Sequence, residues 1–384
     1  ASAQVSTNRV ESLRDNTPRW HALTGARIVV APGKSIENGT LVMRDGRVVA
    51  VGANVAVPKG AREWRLNGRT VYAGFVDLAS SIGVPAAARA RTPAPMTFGG
   101  PPMATGPEPT APGPRSLSAW NRSIRSDFDV AAQLEAKADE IKAARELGFT
   151  TVLAAPAAGV LRGQSALVNL ADSNDAKTLV IAPRAALQVA NETERGFRSY
   201  PSSMMGAIAL LRQSLYDARW SRSANEADQS GKSTDRPEPN ASLDALMAAL
   251  AGKQPVIYAA EGEQDFTRIA KIRDEFGLKV VAQGNGYEYR RAALVKAASL
   301  PVIVPLNFPQ PPEVENPDSA LDLPLEQLQH WEQAPSNLAT LNKAGIDFAI
   351  TANGMREPAR EFWLQLRLAV KRGLPADQAL AALT

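Results

Sequence analysis

The side chains that could do chemistry in this chain of 384 residues are mostly carboxylates, hydroxyls, amides and the amino and guanidinium groups of Lys and Arg. Histidine occurs only at His21 and His330 and cysteine does not occur, so disulfides, thiolate metal sites and cysteine nucleophiles are excluded. A serine nucleophile such as Ser81 needs an adjacent base that a third group orients, and no histidine is near it in sequence. Asp77 and Glu261 are the carboxylates that could form a general acid and base pair.

Polar side chains also stand where several predicted strands end. Together they could line a pocket at the carboxyl end of a sheet or barrel, where active sites lie. In the other interpretation they only hydrogen-bond to one another. The set comprises Asp77, Ser81, Glu261, Gln283, Asn285 and Asn353.

The two histidines lie in unrelated contexts. His21 precedes the first predicted strand, and His330 lies in LEQLQHWEQ, which reads as a surface helix. We interpret both as surface or packing residues rather than as metal ligands.

Strand and helix patterns alternate along the chain, which predicts a parallel α/β sheet or barrel. A β-rich segment comes first, and Asp45-Gly46 between two apolar runs predicts a tight hairpin. The predicted strands are 26–30, 40–44, 47–52, 62–66, 70–76, 150–155, 165–170, 178–182, 256–260, 279–282, 302–305 and 347–351. The predicted helices are 131–147, 204–220, 243–250, 265–276, 288–298, 337–344 and 357–372, with a short one near Pro375.

One segment carries a resemblance to a known family. Residues Val71–Gly83 read VYAGFVDLASSIG and resemble the first barrel strand of the amidohydrolase superfamily, P-G-F-[IV]-D-x-H-x-H, with Ala73 in place of the usual Pro. The run ARELGFTTVLAAP resembles the second barrel unit, and residues 200–220 resemble a helix of the degenerate first half of tandem bacterial amidohydrolases. The imidazolonepropionase-like branch is the nearest match. Over about residues 25–384, the resemblance implies a (β/α)8 TIM-like barrel with a partial N-terminal β-sandwich.

The same resemblance implies positions for metal ligands, and each of them holds a residue unsuited to the role. The superfamily uses an HxH pair, a His after strand five, a His after strand six and an Asp after strand eight. A methyl, hydroxyl or amide group cannot replace these ligands on zinc or a similar ion. The corresponding residues here are Ala79, Ser81, Ala259, Gln283 and Ala352 or Asn353.

The resemblance therefore predicts no catalytic residue, no cofactor site and no metal site in this segment. Asp77, Glu261 and Asn285 would line a vestigial pocket. Zinc or a similar divalent ion is expected only in an intact repeat that follows in a longer protein.

The predicted domains are an N-terminal extension over 1–24, a partial sandwich over 25–70 and a degenerate barrel over 71–384. A Pro-rich insertion near 85–115 is either a lid or, as we favour, a tolerated surface excursion. A polar loop is predicted near 221–242. Family members continue past the last helix with strands that return to the sandwich. The expected partner is thus a C-terminal segment or second repeat that supplies those strands, and self-association is another possibility.

Charge, apolar runs and cysteine content bear on which partners and which cell compartment this protein has. The net charge is +4 and Lys and Arg are scattered, so nucleic acid is not an expected partner. No apolar run is long enough to span a membrane. The missing cysteines and the start ASAQVS suit a periplasmic or secreted protein after removal of its signal peptide. Three hypotheses follow: an inert partner module of a larger hydrolase, an active amidohydrolase completed by another segment or chain, and a binding module for a small polar ligand.

Overall fold

The computed structural model describes residues 18–89, 121–173, 175–193, 200–232, 237–312, 314, 321 and 323–384. The chain divides into two units, Ala1–Ala73 and Gly74–Thr384. None of the helices in the described ranges has the length and apolar character that crossing a membrane requires.

The first unit is a five-stranded sheet. Strands β1 to β3 form an antiparallel meander, and β4 and β5 pair parallel with β1. Asp45 and Gly46, both at positive φ, join β2 to β3 where Arg44 faces Arg47, which confirms the predicted hairpin. The strands are β1 Trp20–Ala31, β2 Lys34–Arg44, β3 Arg47–Gly52, β4 Arg62–Arg65 and β5 Thr70–Val71.

Burial in this sheet is uneven. Ala22, Ala26, Ile28 and Val42 are buried, whereas three valines of the edge strand β3 are exposed. Edge strands present unpaired backbone groups, and proteins usually blunt or cover them. The exposed valines are Val48, Val49 and Val51.

The second unit contains an eight-stranded sheet in which each strand pairs with the next along the chain. Strand β8 is antiparallel to both neighbours, whereas the other pairs are parallel. The expected set of eight parallel strands is therefore wrong at β8. The link from β7 is too short for the crossover that a parallel pair requires. The strands are β6 Phe75–Ser80, β7 Phe149–Ala154, β8 Leu161–Asn169, β9 Val180–Ala190, β10 Val256–Ala259, β11 Val280–Gln283, β12 Val302–Pro305 and β13 Phe348–Thr351.

Helices accompany these strands. They are α1 Ala138–Glu146, α2 Ala176–Leu179, α3 Met204–Gln229, α4 Ala241–Asp244, α5 Met247–Leu250, α6 Asp265–Phe276, α7 Ala292–Ala298, α8 Leu325–Gln333, α9 Asn337–Lys343, α10 Pro358–Lys371 and α11 Ala376–Ala381. Short 3₁₀ turns cover Ala86–Ala88, Val130–Gln133, Glu288–Arg291 and Ala334–Ser336.

The helix predicted over 131–147 and the loop predicted over 221–242 differ from the structure. The helix predicted over 131–147 begins only at Ala138, because Glu135 forms a β-bridge with Gly83. The loop predicted over 221–242 is helical as far as Gln229, since Ser221 is buried against the unit and accepts a bond from Asn225. Most of the Pro-rich insertion predicted near 85–115 lies outside the described residues, which include the single turn at Ala86–Ala88.

The two end strands of the sheet, β6 and β13, are joined without a ladder between them. The Asp77 carboxylate of β6 accepts hydrogen bonds from Thr351 Oγ1 at 2.5 Å and Ala352 N at 3.2 Å. Val76 N and Ile350 N donate to the carbonyls of Leu383 and Ala382, each at 2.8 Å. The Asp77 side chain and the turn after α11 thus link the two end strands, and the sheet forms a nearly closed barrel.

The inside of this barrel is packed with small and branched apolar groups. A buried cluster separate from the main core draws one residue from each of five strands, and the alternation of side chains along a strand assigns it to one face of the sheet. Close-packed interiors of this kind leave no room for added side chains. The members are Ala79, Leu153, Ala186, Ile257 and Ile303.

Gly163 on β8 allows the backbone at Phe128 to approach closely. Its φ is +117°, and an added Cβ would lie 2.7 Å from Phe128 O. We expect Gly163→Ala to lower the free energy of unfolding by about 3 kcal/mol, measured by urea denaturation, because steric overlap adds to left-handed strain. Gly277→Ala is the matched control, since φ is +68° there and nothing lies within 4 Å. Its expected cost is about 1 kcal/mol, and equal losses in the two variants would contradict the close-approach argument.

Candidate functional site

The carboxyl end of the barrel gathers polar side chains from several strands. Ala190, Ala259 and Gln283 are register partners on β9, β10 and β11. Leu161 at the start of the antiparallel β8 pairs with Val189, so this start lies at the same end. Residues just beyond these positions therefore share one rim of the barrel.

Asp77 acts as a clamp between strands. Its side chain is 5% exposed, and it accepts from Ala79 N at 3.0 Å besides its bonds from Thr351 and Ala352. Burial raises the pKa of Asp77, and the three donors oppose that rise. Among the described residues no hydrogen bond or ion pair joins Asp77 to Glu261, and the structure does not bring the predicted acid and base pair into contact.

A buried carboxylate also shapes the loop after β10. Asp265, which is 2% exposed, accepts from the backbone N–H groups of Glu261 at 3.0 Å and Gly262 at 3.1 Å. Arg268 donates to its other oxygen at 2.7 Å. This set of bonds fixes the backbone that carries Glu261 at the rim.

In the loop after β11, a buried carboxylate again accepts hydrogen bonds from backbone N–H groups. Glu288 is fully buried and accepts from Asn285 N at 2.8 Å, Gly286 N at 3.1 Å and Asn337 Nδ2 at 2.6 Å. A Cβ at Gly284 would lie 2.0 Å from Glu288 Oε1, so the close approach depends on glycine. Asn285, held in this way, donates through Nδ2 to Glu261 O at 2.6 Å.

Arg162 and Glu192 approach each other at this rim, and Glu261 and Asn285 lie on the loops after β10 and β11; we call these four residues the mouth cluster. The Arg162 side chain is only 15% exposed and that of Glu192 30% exposed, whereas Glu261 is exposed. Arg162 Nη2 lies 3.7 Å from Glu192 Oε2, beyond hydrogen-bond range. That oxygen instead accepts from Gly159 N at 2.8 Å, and Arg162 Nε donates to Gly159 O at 3.3 Å.

The charges of the mouth cluster influence one another. Burial lowers the pKa of Arg162, while Glu192 and Glu261 act in the opposite direction. A guanidinium nevertheless stays protonated in proteins. Burial raises the pKa of the Glu261 carboxyl, and the nearby Arg162 opposes that rise. The cluster thus presents a charged, partly desolvated surface at the end of the barrel.

The predicted ligand positions do not assemble a set of metal donors. Ala79 is 3% exposed within the apolar cluster of the barrel interior. Ala259 and Gln283 are half-buried, and Ser81 and Asn353 are exposed. Within the described ranges no three His, Cys, Asp or Glu residues lie close enough together to hold a metal ion. The residues present therefore do not fit the metal that the sequence resemblance implies.

Both histidines pack against aromatic rings. Trp64 Nε1 donates to His21 Nδ1 at 3.3 Å. His330 on α8 stacks on Tyr287 with ring centroids 3.7 Å apart, and Tyr289 Oη lies 3.2 Å from its Nδ1. Burial lowers the pKa of His330. These contacts agree with the interpretation of both as packing residues.

Sequence analysis missed Arg162, Glu192, Asp265 and Glu288. Arg162 was overlooked because the predicted strand began at Ser165, although a lone arginine in the run GVLRG was a visible signal. Asp265 and Glu288 follow the strand ends closely and accept from backbone N–H groups of their own loops. Such local acceptors resemble helix caps, for which carboxylates near a helix start are the usual sign.

Comparison with known proteins shows the fold. Neither a family model nor a curated protein matches this sequence. An amidohydrolase from Thermotoga maritima MSB8 superposes with a TM-score of 0.68 and 19% identity, over 94% of this chain and 86% of that chain. Two further structures match more weakly. A prolidase complexed with N-methylphosphonate-L-proline has 14% identity and a TM-score of 0.47 over 95% of this chain and 86% of that chain. A. niger ochratoxinase has 12% identity and a TM-score of 0.46 over 95% of this chain and 83% of that chain. The chain is thus similar in fold to the Thermotoga amidohydrolase.

Proposed function

We propose that this chain is an amidohydrolase-like module without metal ligands, of the imidazolonepropionase-like branch. In this proposal it is the non-catalytic half of a larger exported bacterial hydrolase that acts on amide or cyclic amide bonds, with zinc or a similar ion bound only in a second, intact repeat. The observation that carries the proposal is Ala79, whose methyl group packs in the apolar barrel interior where the sequence resemblance implies the first histidine ligand. The fold shared with a Thermotoga amidohydrolase supports the hydrolase context.

Metal analysis tests the loss of the site. After dialysis against a chelator and then against zinc, manganese or iron, the purified chain should retain far less than one ion per molecule, because the implied ligand positions offer methyl, hydroxyl and amide groups. It should also not hydrolyse amide or lactam substrates with metal present. About one retained ion per chain, or metal-dependent turnover, contradicts the proposal and favours the alternative of an active amidohydrolase completed by another segment or chain.

The partner in this proposal is a C-terminal segment or second repeat that adds strands to the first unit. The exposed valines of edge strand β3 support it, because added strands would cover them. We expect this chain alone to self-associate in size-exclusion chromatography and to melt below the longer polypeptide. A monodisperse monomer that is as stable as the longer polypeptide would contradict this expectation.

Export is tested separately by cell fractionation. Recovery of the protein from the cytoplasmic fraction of its cells argues against export.

A further inference from the structure

A cavity of about 570 Å³ lies between helix α8 and the short 3₁₀ turn that follows the β11 loop. Small-molecule sites in proteins have volumes of about 300–1,000 Å³, so this cavity is large enough for a small ligand. The turn and the helix each contribute to its walls. The lining residues are Tyr289, Arg290, Glu326, Gln329 and Gln333.

The wall that α8 contributes is polar. Glu326, Gln329 and Gln333 follow one another at intervals of three and four residues, which places them on one face of the helix. A surface helix usually buries an apolar stripe, whereas no residue of α8 is buried. Within the described part of the chain, the side-chain amides of Gln329 and Gln333 make no hydrogen bond. Their donors and acceptors are therefore open to a ligand.

Aromatic rings and an ion pair hold the walls of the cavity in place. His330 stacks on Tyr287 with ring centroids 3.7 Å apart and so attaches α8 to the turn. Arg372 donates to both carboxylate oxygens of Glu332 near the end of α8, at 2.7 and 3.2 Å. The Tyr289 ring centroid lies 6.0 Å from that of His330 and 6.5 Å from that of Tyr287. Both neighbouring rings are thus offset from Tyr289 and leave part of its ring to line the cavity.

The charges at the cavity balance each other. Arg290 Nη2 donates to Glu326 Oε1 at 2.9 Å, so an ion would have to compete with this pair for a counter-charge. An apolar ligand would remove water from the glutamine amides without giving them partners. A neutral ligand rich in hydroxyl groups avoids both costs, because each hydroxyl donates and accepts hydrogen bonds.

We infer that this cavity binds a neutral saccharide, either free or at the end of a longer glycan. One face of the sugar ring lies on the Tyr289 ring, and its hydroxyls bond to the amides of Gln329 and Gln333. The C–H groups on the face of a sugar ring form an apolar surface that suits an aromatic ring, while the hydroxyls around its edge reach the polar wall. This site goes beyond the proposed function, since it uses none of the implied metal-ligand positions.

Calorimetric and ligand-observed NMR titrations of the full chain in a chelator test this inference. The probes are glucose, galactose, mannose, N-acetylglucosamine and their methyl glycosides. We expect at least one of them to bind saturably, and the amino sugar and the uronic acid that match it to bind about tenfold more weakly, because each carries a charge without a partner in the cavity. If no neutral sugar binds, or if sorbitol or adenosine binds as tightly as the best sugar, the inference is wrong.

The methyl glycosides separate the two sources of the ligand. A methyl glycoside that binds as tightly as its free sugar identifies the end of a glycan. A methyl glycoside that binds about tenfold more weakly identifies a free sugar, because the methyl group removes the donor of one hydroxyl.

Variants assign the roles of the two walls. Gln329→Ala and Gln333→Ala should each weaken sugar binding about fivefold, because each removes one hydrogen-bonding group. Gln327→Ala is the matched control, since Gln327 is exposed on the same helix and does not line the cavity. Tyr289→Ala should weaken binding about tenfold, whereas Tyr289→Phe keeps the ring and should retain most of the affinity.

The glutamine variants decide the outcome even if Tyr289→Ala fails to fold, because alanine is the most favourable residue at exposed helix positions. Binding by Gln329→Ala and Gln333→Ala that is as tight as binding by Gln327→Ala contradicts the inference. Metal content and amide hydrolysis do not enter this readout, so its failure is distinct from failure of the proposed function.

Discussion

Replacing Asp77 with alanine is expected to lower the free energy of unfolding by about 3 kcal/mol. Three donors would lose their acceptor: Thr351 Oγ1 and the N–H groups of Ala79 and Ala352. Asp77 and Thr351 are buried, so water would not readily replace the carboxylate. The variant would also lose the side-chain link between the first and last strands of the barrel. Urea denaturation followed by circular dichroism measures the difference.

Thr351→Val is the matched control for Asp77→Ala. It removes one of the three donors to Asp77 and leaves the two backbone bonds to the carboxylate. Asn353 N also loses its acceptor Thr351 Oγ1, but Asn353 is exposed and water can replace that bond, so we expect a loss of about 1 kcal/mol. A loss in Asp77→Ala no larger than that in Thr351→Val would contradict the clamp.

The pH dependence of the Asp77 contribution has a defined sign. Because burial raises its pKa above the unfolded value, its stabilising contribution is fully present below the unfolded pKa and decreases as pH rises through the folded pKa. The free energy of unfolding of the wild type, relative to that of Asp77→Asn, should therefore increase as the pH is lowered. Urea denaturation of both proteins at several pH values measures this difference.

The second large effect is expected from Ala79→His, alone or together with Ser81→His. An imidazole at position 79 would enter the apolar cluster beside Leu153 and Ile257. Overpacking and the burial of ring nitrogens without partners should together cost about 3 kcal/mol. The double variant should neither bind zinc tightly nor hydrolyse amide or lactam substrates, because Ala259 and Gln283 would still occupy implied ligand positions. Thermal melts, zinc titration and a hydrolysis assay measure these outcomes.

Ser81→His alone serves as the control for this experiment. Ser81 is exposed, and substitutions at such sites usually change stability by less than about 0.5 kcal/mol. A double variant that keeps wild-type stability and gains zinc-dependent hydrolysis would falsify the view that the site is lost as a whole.

Locally encoded elements were predictable to the residue. Strands Arg47–Gly52 and Val302–Pro305 and helix Asp265–Phe276 have their predicted bounds, because hairpin chemistry and helical periodicity lie within a few neighbouring residues. Helix 131–147 was predicted too long because the bridge between Glu135 and Gly83 depends on a distant partner. Tertiary contacts override local propensity in such cases.

The candidate site was predicted only in part. Glu261 and Asn285 lie at the rim as strand-end polar residues, but the position of Arg162 depends on the direction of β8. The link between the predicted strands 150–155 and 165–170 is shorter than a parallel crossover requires, so the direction of β8 could be read from the sequence, although the resemblance implied eight parallel strands. The role of Asp77 could not be predicted, because its partners Thr351 and Ala352 lie near the other end of the chain.

The closure of the barrel has a consequence for how the protein forms. The bond from Thr351 to Asp77 joins residues 274 positions apart, and the turn at Ala382 and Leu383 that bonds to Val76 and Ile350 comes later still. During synthesis β6 thus leaves the ribosome long before its closing partners exist. Contacts of such sequence separation carry a large loop-closure entropy and form slowly. Each nascent chain therefore passes through a period with an open sheet edge, which is when binding by chaperones protects best against aggregation.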